Sequence, residues 1–520
     1  MIAVAYFLLA VLTAADLRFS GVSDLARQEG GRLVVDVPAG QDGKTVGAAI
    51  PVAGFNGKGF RARIRCRGTD VSRPAKDWNG LKFMFRWVDA DGKVHYPNTP
   101  SRLGTWDWTE ISCHDSFAAA DVRDFRLIMG LQESSGRLEF DLSSLVIEPY
   151  ELFPRVNRDF RVKYPRRTIR DVRRRGVMLP AKSCTVDDFE TLSAWGVNLV
   201  RYQMTWFESF AKTRGKTERD LSCYRAWLKE KLDHLESFVL PEARKRGIKV
   251  VVDLHNAPGG KTSAGEQAVF EEDVFIEEFL STWRTIATRF KGNEDVIYGY
   301  DLINEPAQVG EVKCDYWNLQ RRAAEAVRSI DPATAIIIES NGQDCSGTYA
   351  YLSPLKMHNV IYQLHIYQPT SFTHQGVWAG MPPNAYPQPG KLDIDWLRRE
   401  MKPVIEFSRR HHAKIYVGEF SAIAWAEGSE RYLADVITIC EENGWDWTYH
   451  AFREWQGWSV EHEGPDRDHM RKVDMTPRKE VLLRGFNGEF SKGSVRCWPI
   501  PNADAKDVVR VCGKDRFDLQ

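Results

Sequence analysis

Two hydrophobic patterns divide the chain. From about residue 16 to 150, short runs alternate apolar and polar side chains: GRLVVDV, FRARIRC, LKFMFRWVD, GKVHYP, WDWTEISC, FRLIMGL and GRLEFDLSSLVIE. Gly, Asp, Asn and Pro stand between them. A strand with one buried and one wet face needs that alternation, because successive side chains point to opposite faces. A succession of such strands predicts an all-β sandwich. From about residue 176 the period changes. Continuous apolar runs appear at 176–180 (GVMLP), 197–203 (VNLVRYQ), 248–255 (IKVVVDLH), 296–306 (VIYGYDLINEP), 335–340 (AIIIES), 360–369 (VIYQLHIYQP), 414–420 (KIYVGEF) and 445–452 (WDWTYHAF). Nearly all precede a stretch of helical period, such as EEDVFIEEFLSTWRTIATRF. Strands buried on both faces require such unbroken runs. Eight strand–helix units predict an α/β fold, a (β/α)8 TIM barrel with its reactive groups at the C-terminal strand ends. An open doubly wound sheet would carry a Gly-rich turn after its first strand, and GVMLPAKS has none.

These patterns divide the chain into a β-sandwich at 16–150, a basic linker at 151–175, a barrel at 176–490 and a C-terminal extension at 491–520. Residues 1–15 open with MIAVAYFLLAVL, too short an apolar stretch to cross a membrane, and close on Thr13-Ala14-Ala15. We expect a signal peptide cut after Ala15, a secreted or periplasmic protein and no span after its removal. No Lys or Arg precedes the apolar run, so a mis-assigned start codon or an uncleaved anchor is the alternative.

Charge removes other classes. Lys plus Arg and Asp plus Glu number 71 each, so the chain has no overall field to gather nucleic acid. The basic segment 155–176 reads instead as a linker pairing with acids of the barrel. The nine cysteines include no CxxC and no structural-zinc spacing. Cys314–Cys345 and Cys497–Cys512 are two loop-closing options, with the pairing left open. The 17 tryptophans suit either a packed core or the stacking faces that sugar rings need. For Trp78, Trp87, Tyr96, Trp106 and Trp108 both readings stand, a sugar platform or packing between the sheets.

Polar residues gather at the predicted strand ends. They are Arg201, His255 with Asn256, Asn304 with Glu305, His365 with Tyr367, Glu419, and His450 with Trp455 just beyond. Such a set is hard to explain by packing, since a buried charge without a task is costly. Two carboxylates across a barrel mouth suit glycoside hydrolysis, one attacking and one protonating the leaving oxygen. Their environments must differ, and Arg201 and Tyr367 are placed to keep Glu419 ionised. Asn304 is expected to face the sugar 2-hydroxyl.

The stretches VNLVRYQ, VVVDLHNAPGG, YDLINEPA, YQLHIYQP and IYVGEFS follow in this order across 176–490. On them the barrel resembles glycoside hydrolase family 5, the cellulase-type family of retaining β-glycosidases. The resemblance implies Glu305 as acid/base and Glu419 as nucleophile. Arg201, His255, Asn304, His365 and Tyr367 match its other active-site positions. Members often carry a strand-eight Trp that floors the cleaved sugar's subsite; here His450 stands there, and Trp455 in FREWQGW is expected to supply the platform. The stretch LIMGLQESSGRLEFDLSSLVIEP resembles the last strands of jelly-roll carbohydrate-binding modules.

The function expected is a secreted retaining hydrolase of a β-linked polysaccharide or oligosaccharide, cellulase-like and monomeric, with carbohydrate as its only partner and no cofactor. The alternatives are an exo-acting β-glycosidase on oligosaccharides or glycoconjugates, and a non-catalytic sugar-binding barrel. The last is disfavoured because both glutamates remain. Metal chemistry is not expected, because the sequence reading gives His255 and His365 no carboxylate partners. A serine hydrolase lacks its GxSxG. Trp206, Trp378, Tyr386, Trp425, Trp455 and Trp458 lie in loops expected to line a cleft. The long loop 373–390 is a candidate wall for one end of it.

Overall fold

The computed structural model describes residues 11–490 apart from 53–54, 56–58, 77, 89–93, 117–122, 151–171, 181–183, 207–216, 263–266, 309–311, 351 and 378–382. Most of the expected signal segment, most of the basic linker, Trp378 and the C-terminal extension therefore lie outside the described residues.

The alternating N-terminal runs form two antiparallel sheets. One has the order Ala26–Glu29, Arg32–Val37, Gly136–Tyr150, Gly59–Val71, Gly104–Ser116. The other runs Phe19–Ser20, Gly43–Ala49, Arg123–Gln132, Gly80–Val88, Val94–His95. Leu33, Phe60, Ile64 and Phe140 from the first meet Val46, Phe83, Phe85 and Leu127 from the second in one core. Just before the expected cleavage point, Leu12 pairs with Ile147 of the first sheet.

The five sandwich aromatics divide. Trp87 belongs to the core, stacks on His95 at 3.9 Å and donates Nε1–H to Asp115 at 2.8 Å. Trp106 lies over Gly68, where a Cβ would sit 2.3 Å from its ring, and Arg32 and Arg67 stack on Trp108 at 5.3 and 5.0 Å. Trp78 and Tyr96 are exposed. Cys314 and Cys345 are both free thiols, so that option for a disulfide falls. Each sulfur has its own neighbour, the Arg322 guanidinium at 3.8 Å and the Thr348 hydroxyl at 3.9 Å. Cys497 and Cys512 lie outside the described residues.

The continuous apolar runs form β1 (Arg175–Met178), β2 (Leu199–Gln203), β3 (Lys249–Asp253), β4 (Ile297–Asp301), β5 (Ala335–Glu339), β6 (Val360–Ile366), β7 (Lys414–Phe420) and β8 (Asp446–Tyr449). All eight are parallel and close into a barrel, Gly176 of β1 pairing with Thr448 of β8. Side-chain caps start the surrounding helices where the sequence changes period. Thr185 and Asp188 form a capping box, and Asp220, Asp315, Asp393 and Thr476 accept N–H groups of their helices' first turns. Inside the barrel, Leu199, Val251, Ile337, Ile361 and Tyr416 form a small apolar core of their own. Two residues further along their strands come Arg201, Asp253, Glu339 and Gln363, all buried, so the interior turns from apolar to ionic toward the mouth.

One half-buried acid outside this interior has a measurable consequence. Asp435 accepts a hydrogen bond from Tyr386 at 2.5 Å, and burial pushes its pKa up to about 6. Between the unfolded value of about 4 and the folded value, the folded chain holds a proton that the unfolded chain has lost. Stability therefore falls as pH rises through that window and is level above it. Asp435→Asn keeps an acceptor for Tyr386 and removes the effect. The variant is expected to gain about 1–3 kcal/mol above pH ~6 and nothing below pH ~4, read from denaturant melts across pH.

Candidate active site

Glu305 and Glu419 reach the barrel mouth by different local devices. On β7, strict alternation would send Glu419 outward, since Tyr416 faces in and Val417 packs outside. The register against β6 slips between Leu364 and His365, and Glu419 ends opposite His365. This bulge falls at Gly418, where a Cβ would lie 2.4 Å from the Gln363 side chain. A bulge changes the phase of the alternation and re-aims the side chains beyond it. Glu305 lies four residues beyond β4, at φ +48, a left-handed conformation that a side chain adopts at a cost. Its corner is pinned by three side chains. Glu305 N–H donates to Glu339 Oε2 at 2.6 Å, Ala307 N–H to Gln267 at 2.9 Å and Gln308 N–H to Asn341 at 2.8 Å.

The two carboxylates and His365 converge: one oxygen of each and a ring nitrogen all lie within 4.8 Å of one another. Glu419 is 5% exposed and accepts from Arg201 Nη1 at 2.5 Å and Tyr367 Oη at 2.8 Å. Burial opposes its charge, but His365, His450, Arg201 and His255 outweigh burial and hold the carboxyl far below the ordinary range. Burial, then Glu419 and Glu305, keep the Tyr367 phenol protonated and so a donor. Glu305 has a different setting, partly exposed, with Oε1 facing His365 Nδ1 at 3.1 Å.

Beneath the pair lies a buried ionic layer. Arg201 has no exposed surface and donates Nε–H to Asp301 at 3.0 Å, and Nη2–H to Asn304 at 2.9 Å and Glu339 at 3.2 Å. Asp253 Oδ2 is 3.3 Å from the same nitrogen and 2.9 Å from His255 Nδ1. Burial and then repulsion from Asp301 and Asp344 push Glu339 well above the ordinary range. Burial also carries Asp301 up to about 6, against the pull of Arg201. For His255, burial works against the proton, but Asp253 raises its pKa.

The structure assembles most of the predicted site. Arg201, His255, Asn304, His365, Tyr367 and Glu419 are linked by the contacts above. Asn304 has its amide set between Arg201 and His255, whose Nε2 is 3.4 Å from Asn304 Nδ2. Asn256 accepts the Trp206 N–H at 2.8 Å and so ties a mouth loop. His450 lies edge-on to Tyr367 at 6.1 Å and tilted to Trp458 at 5.8 Å, with its Nε2 3.5 Å from Glu454. Burial lowers its pKa, and Glu454 more than restores it. Trp455 packs edge-on against Trp425 at 5.9 Å and Trp458 at 5.7 Å, and joins His450 through the latter.

Two expectations need correction. Both histidines do have carboxylate neighbours: His255 faces Asp253, two positions back at the end of its own strand, and His365 faces Glu305 and Glu419, which folding brings to it from other strand ends. Glu305, His365 and Glu419 could in geometry hold a metal ion. Tyr386 is not a cleft residue. It is buried between Phe372 and Tyr432 because its hydroxyl has Asp435 as an internal partner. The sequence reading also missed Asp253, Asp301, Glu339, Gln363 and Glu454. A signal was present for three of these: an acid that ends an otherwise apolar run, as in KVVVD, IYGYD and AIIIE.

Inverting glycosidases hold their carboxylates about 6.5–9.5 Å apart to admit a water, and retaining ones only about 5–5.5 Å. Oxygens of Glu305 and Glu419 lie within 4.8 Å of each other, which fits the closer spacing, and a (β/α)8 barrel with such a pair at its mouth has the arrangement of a retaining β-glycoside hydrolase. A cellulase family model, that of glycosyl hydrolase family 5, matches residues 172–456, and the chain belongs to this family. Endoglucanase C of Acetivibrio thermocellus is 27% identical over 241 residues, 40% of this chain and 69% of that protein. Cellodextrinase A of Ruminococcus flavefaciens is 26% identical over 217 residues, 40% of this chain and 63% of its own length. A solved endoglucanase superposes with a TM-score of 0.47 at 20% identity, covering 59% of this chain and 96% of its own.

Proposed function

We propose that Glu419 is the nucleophile and Glu305 the acid/base of a secreted or periplasmic hydrolase that cleaves a β-linked glucan. The observation that carries the role assignment is the unequal setting of the two close carboxylates. Glu419 is buried on Arg201 and the Tyr367 hydroxyl, while Glu305 is partly exposed against His365. In the first step Glu419 attacks the anomeric carbon, the bond to the leaving oxygen breaks, and Glu305 gives that oxygen its proton. A glycosyl ester on Glu419 results. In the second step a water loses its proton to Glu305, attacks the same carbon and frees Glu419. Two inversions give net retention. Asn304, its amide fixed by Arg201 and His255, is the group for the 2-hydroxyl. His255, Asn256, Tyr367, His450 and Trp455 complete the sugar-binding set.

Glucose-based chains are favoured because the similar proteins carry the names endoglucanase and cellodextrinase. His450 in place of a stacking ring favours, as second reading, short oligosaccharides held by hydrogen bonds. Purified protein on a polysaccharide and oligosaccharide panel, with products read by chain length, separates the two. Glu305→Ala tests the acid/base. It is expected to lose about 10²–10⁴-fold on polysaccharide but to keep most glycosylation rate on 2,4-dinitrophenyl glycosides, which need no proton. Added azide should then give a glycosyl azide of retained configuration. Equal losses on both substrates would refute the assignment.

A further inference from the structure

We infer that Glu339, at the end of β5, is a positioning residue that sets the proton on His365 and thereby frees the acid proton of Glu305 for the leaving group. The inference rests on the acid/base reading of Glu305. Glu339 has no exposed surface, and its own backbone is clamped: its N–H donates to Gln320 at 3.0 Å and its C=O accepts from Gln320 at 2.9 Å. Its Oε2 accepts the Glu305 N–H at 2.6 Å, across from the left-handed φ of that residue. Its Oε1 accepts from the Gln363 amide, which therefore presents nitrogen on this side. The same amide nitrogen lies 3.1 Å from His365 Nε2. Two N–H groups cannot face each other, so His365 Nε2 is an acceptor and the ring proton sits on Nδ1. That proton points at Glu305 Oε1, 3.1 Å away. The contacts close a ring from the Glu305 backbone through Glu339, Gln363 and His365 to the Glu305 carboxyl.

The ring has a chemical outcome. With Oε1 accepting from His365, the acid proton of Glu305 must reside on Oε2, free to move to the glycosidic oxygen. If Gln363 turns its amide, its carbonyl meets His365 Nε2 and draws the ring proton there. Nδ1 then becomes an acceptor and takes the Glu305 proton into an internal hydrogen bond, away from the leaving group. Both oxygens of Glu339 receive donors, Oε1 from Arg201 Nη2 and the Gln363 amide and Oε2 from the Glu305 N–H, so the group acts as a carboxylate acceptor despite the burial that raises its pKa. The Gln363 Oε1 atom is buried with no hydrogen-bond partner, so the contacts of the nitrogen alone hold the amide in this orientation.

The test compares phenyl β-cellobioside, which needs the acid, with 2,4-dinitrophenyl β-cellobioside, which does not. Glu339→Gln is expected to lower kcat/KM on the phenyl substrate about 10²-fold and on the dinitrophenyl substrate less than about 3-fold. Gln363→Met cuts the relay while leaving Glu339 on the Glu305 N–H, and is expected to show the same split. It also serves if Glu339→Gln does not fold. Equal losses on both substrates, or none, in a folded variant overturn the inference. Glu305→Ala is the control. If it too lacks the split, the acid/base reading falls; if it has the split and both relay variants lack it, only the Glu339 role falls.

Discussion

Glu419→Ala is expected to lower turnover of polysaccharide by about 10⁴-fold or more, because in the proposed mechanism Glu419 is the group that forms the glycosyl ester. The variant should fold, since the loss relieves a buried charge while Arg201 keeps Asp301 and Glu339 as partners. Azide or formate enters the space the carboxylate leaves and attacks the anomeric carbon from the same side. With an activated aryl glycoside as substrate, azide should restore part of the rate and give a glycosyl azide of inverted configuration. Proton NMR of the product reads this directly. The opposite configurations expected from Glu305→Ala and Glu419→Ala assign the two roles independently of any rate. Wild-type turnover by Glu419→Ala, or a retained azide product from it, would exclude Glu419 as nucleophile.

Arg201→Met is expected to be the most damaging single change to stability as well as to activity. The guanidinium is buried among Asp253, Asp301, Glu339 and Glu419, at 3.3, 2.9, 3.2 and 2.5 Å. Removing one partner of a buried ion pair costs about 3–5 kcal/mol, and here four carboxylates lose their shared cation. Lysine is a poor replacement, since its single ammonium cannot span the separate directions taken by Nε, Nη1 and Nη2. The sign with pH is set by proton uptake. Without Arg201 the Glu419 carboxyl loses one of the charges that hold it down, and Asp301 and Glu339, already raised by burial, rise further, so the folded variant binds more protons than the folded wild type. Its deficit relative to wild type should be largest above neutrality and shrink as pH falls through those raised values. Melting temperatures of both proteins at pH 5 and pH 8 check this. An equal deficit at both pH values would mean that the acids do not depend on Arg201.

The predicted site residues were legible because each interrupts an apolar strand or follows its end, where a barrel collects reactive groups. The supporting acids were less legible. Asp253 and Asp301 are set in the same runs, but single acids at strand ends also arise from ordinary turns. Only closure of the barrel puts them on Arg201, which stands on another strand. The sandwich aromatics show the same limit. Trp87 and Trp78 read alike in sequence, yet one is in the core and the other exposed, because Trp87 stands in the strand Gly80–Val88 and packs between the sheets while Trp78 lies in the turn before that strand.

Local sequence dictates the eight-stranded barrel, the sandwich before it and the placing of two glutamates at strand ends, since these come from the period of apolar residues and from where it is interrupted. How those glutamates are aimed is a tertiary matter. Strict alternation on β7 would turn Glu419 outward, and the slip at Gly418 that brings it in exists only as a register between β7 and β6. The left-handed turn of Glu305 is held by the Glu339, Gln267 and Asn341 side chains, which lie 33 to 40 positions from the groups they bind. Register and long-range hydrogen bonds are properties of paired segments, so no single stretch of sequence contains them.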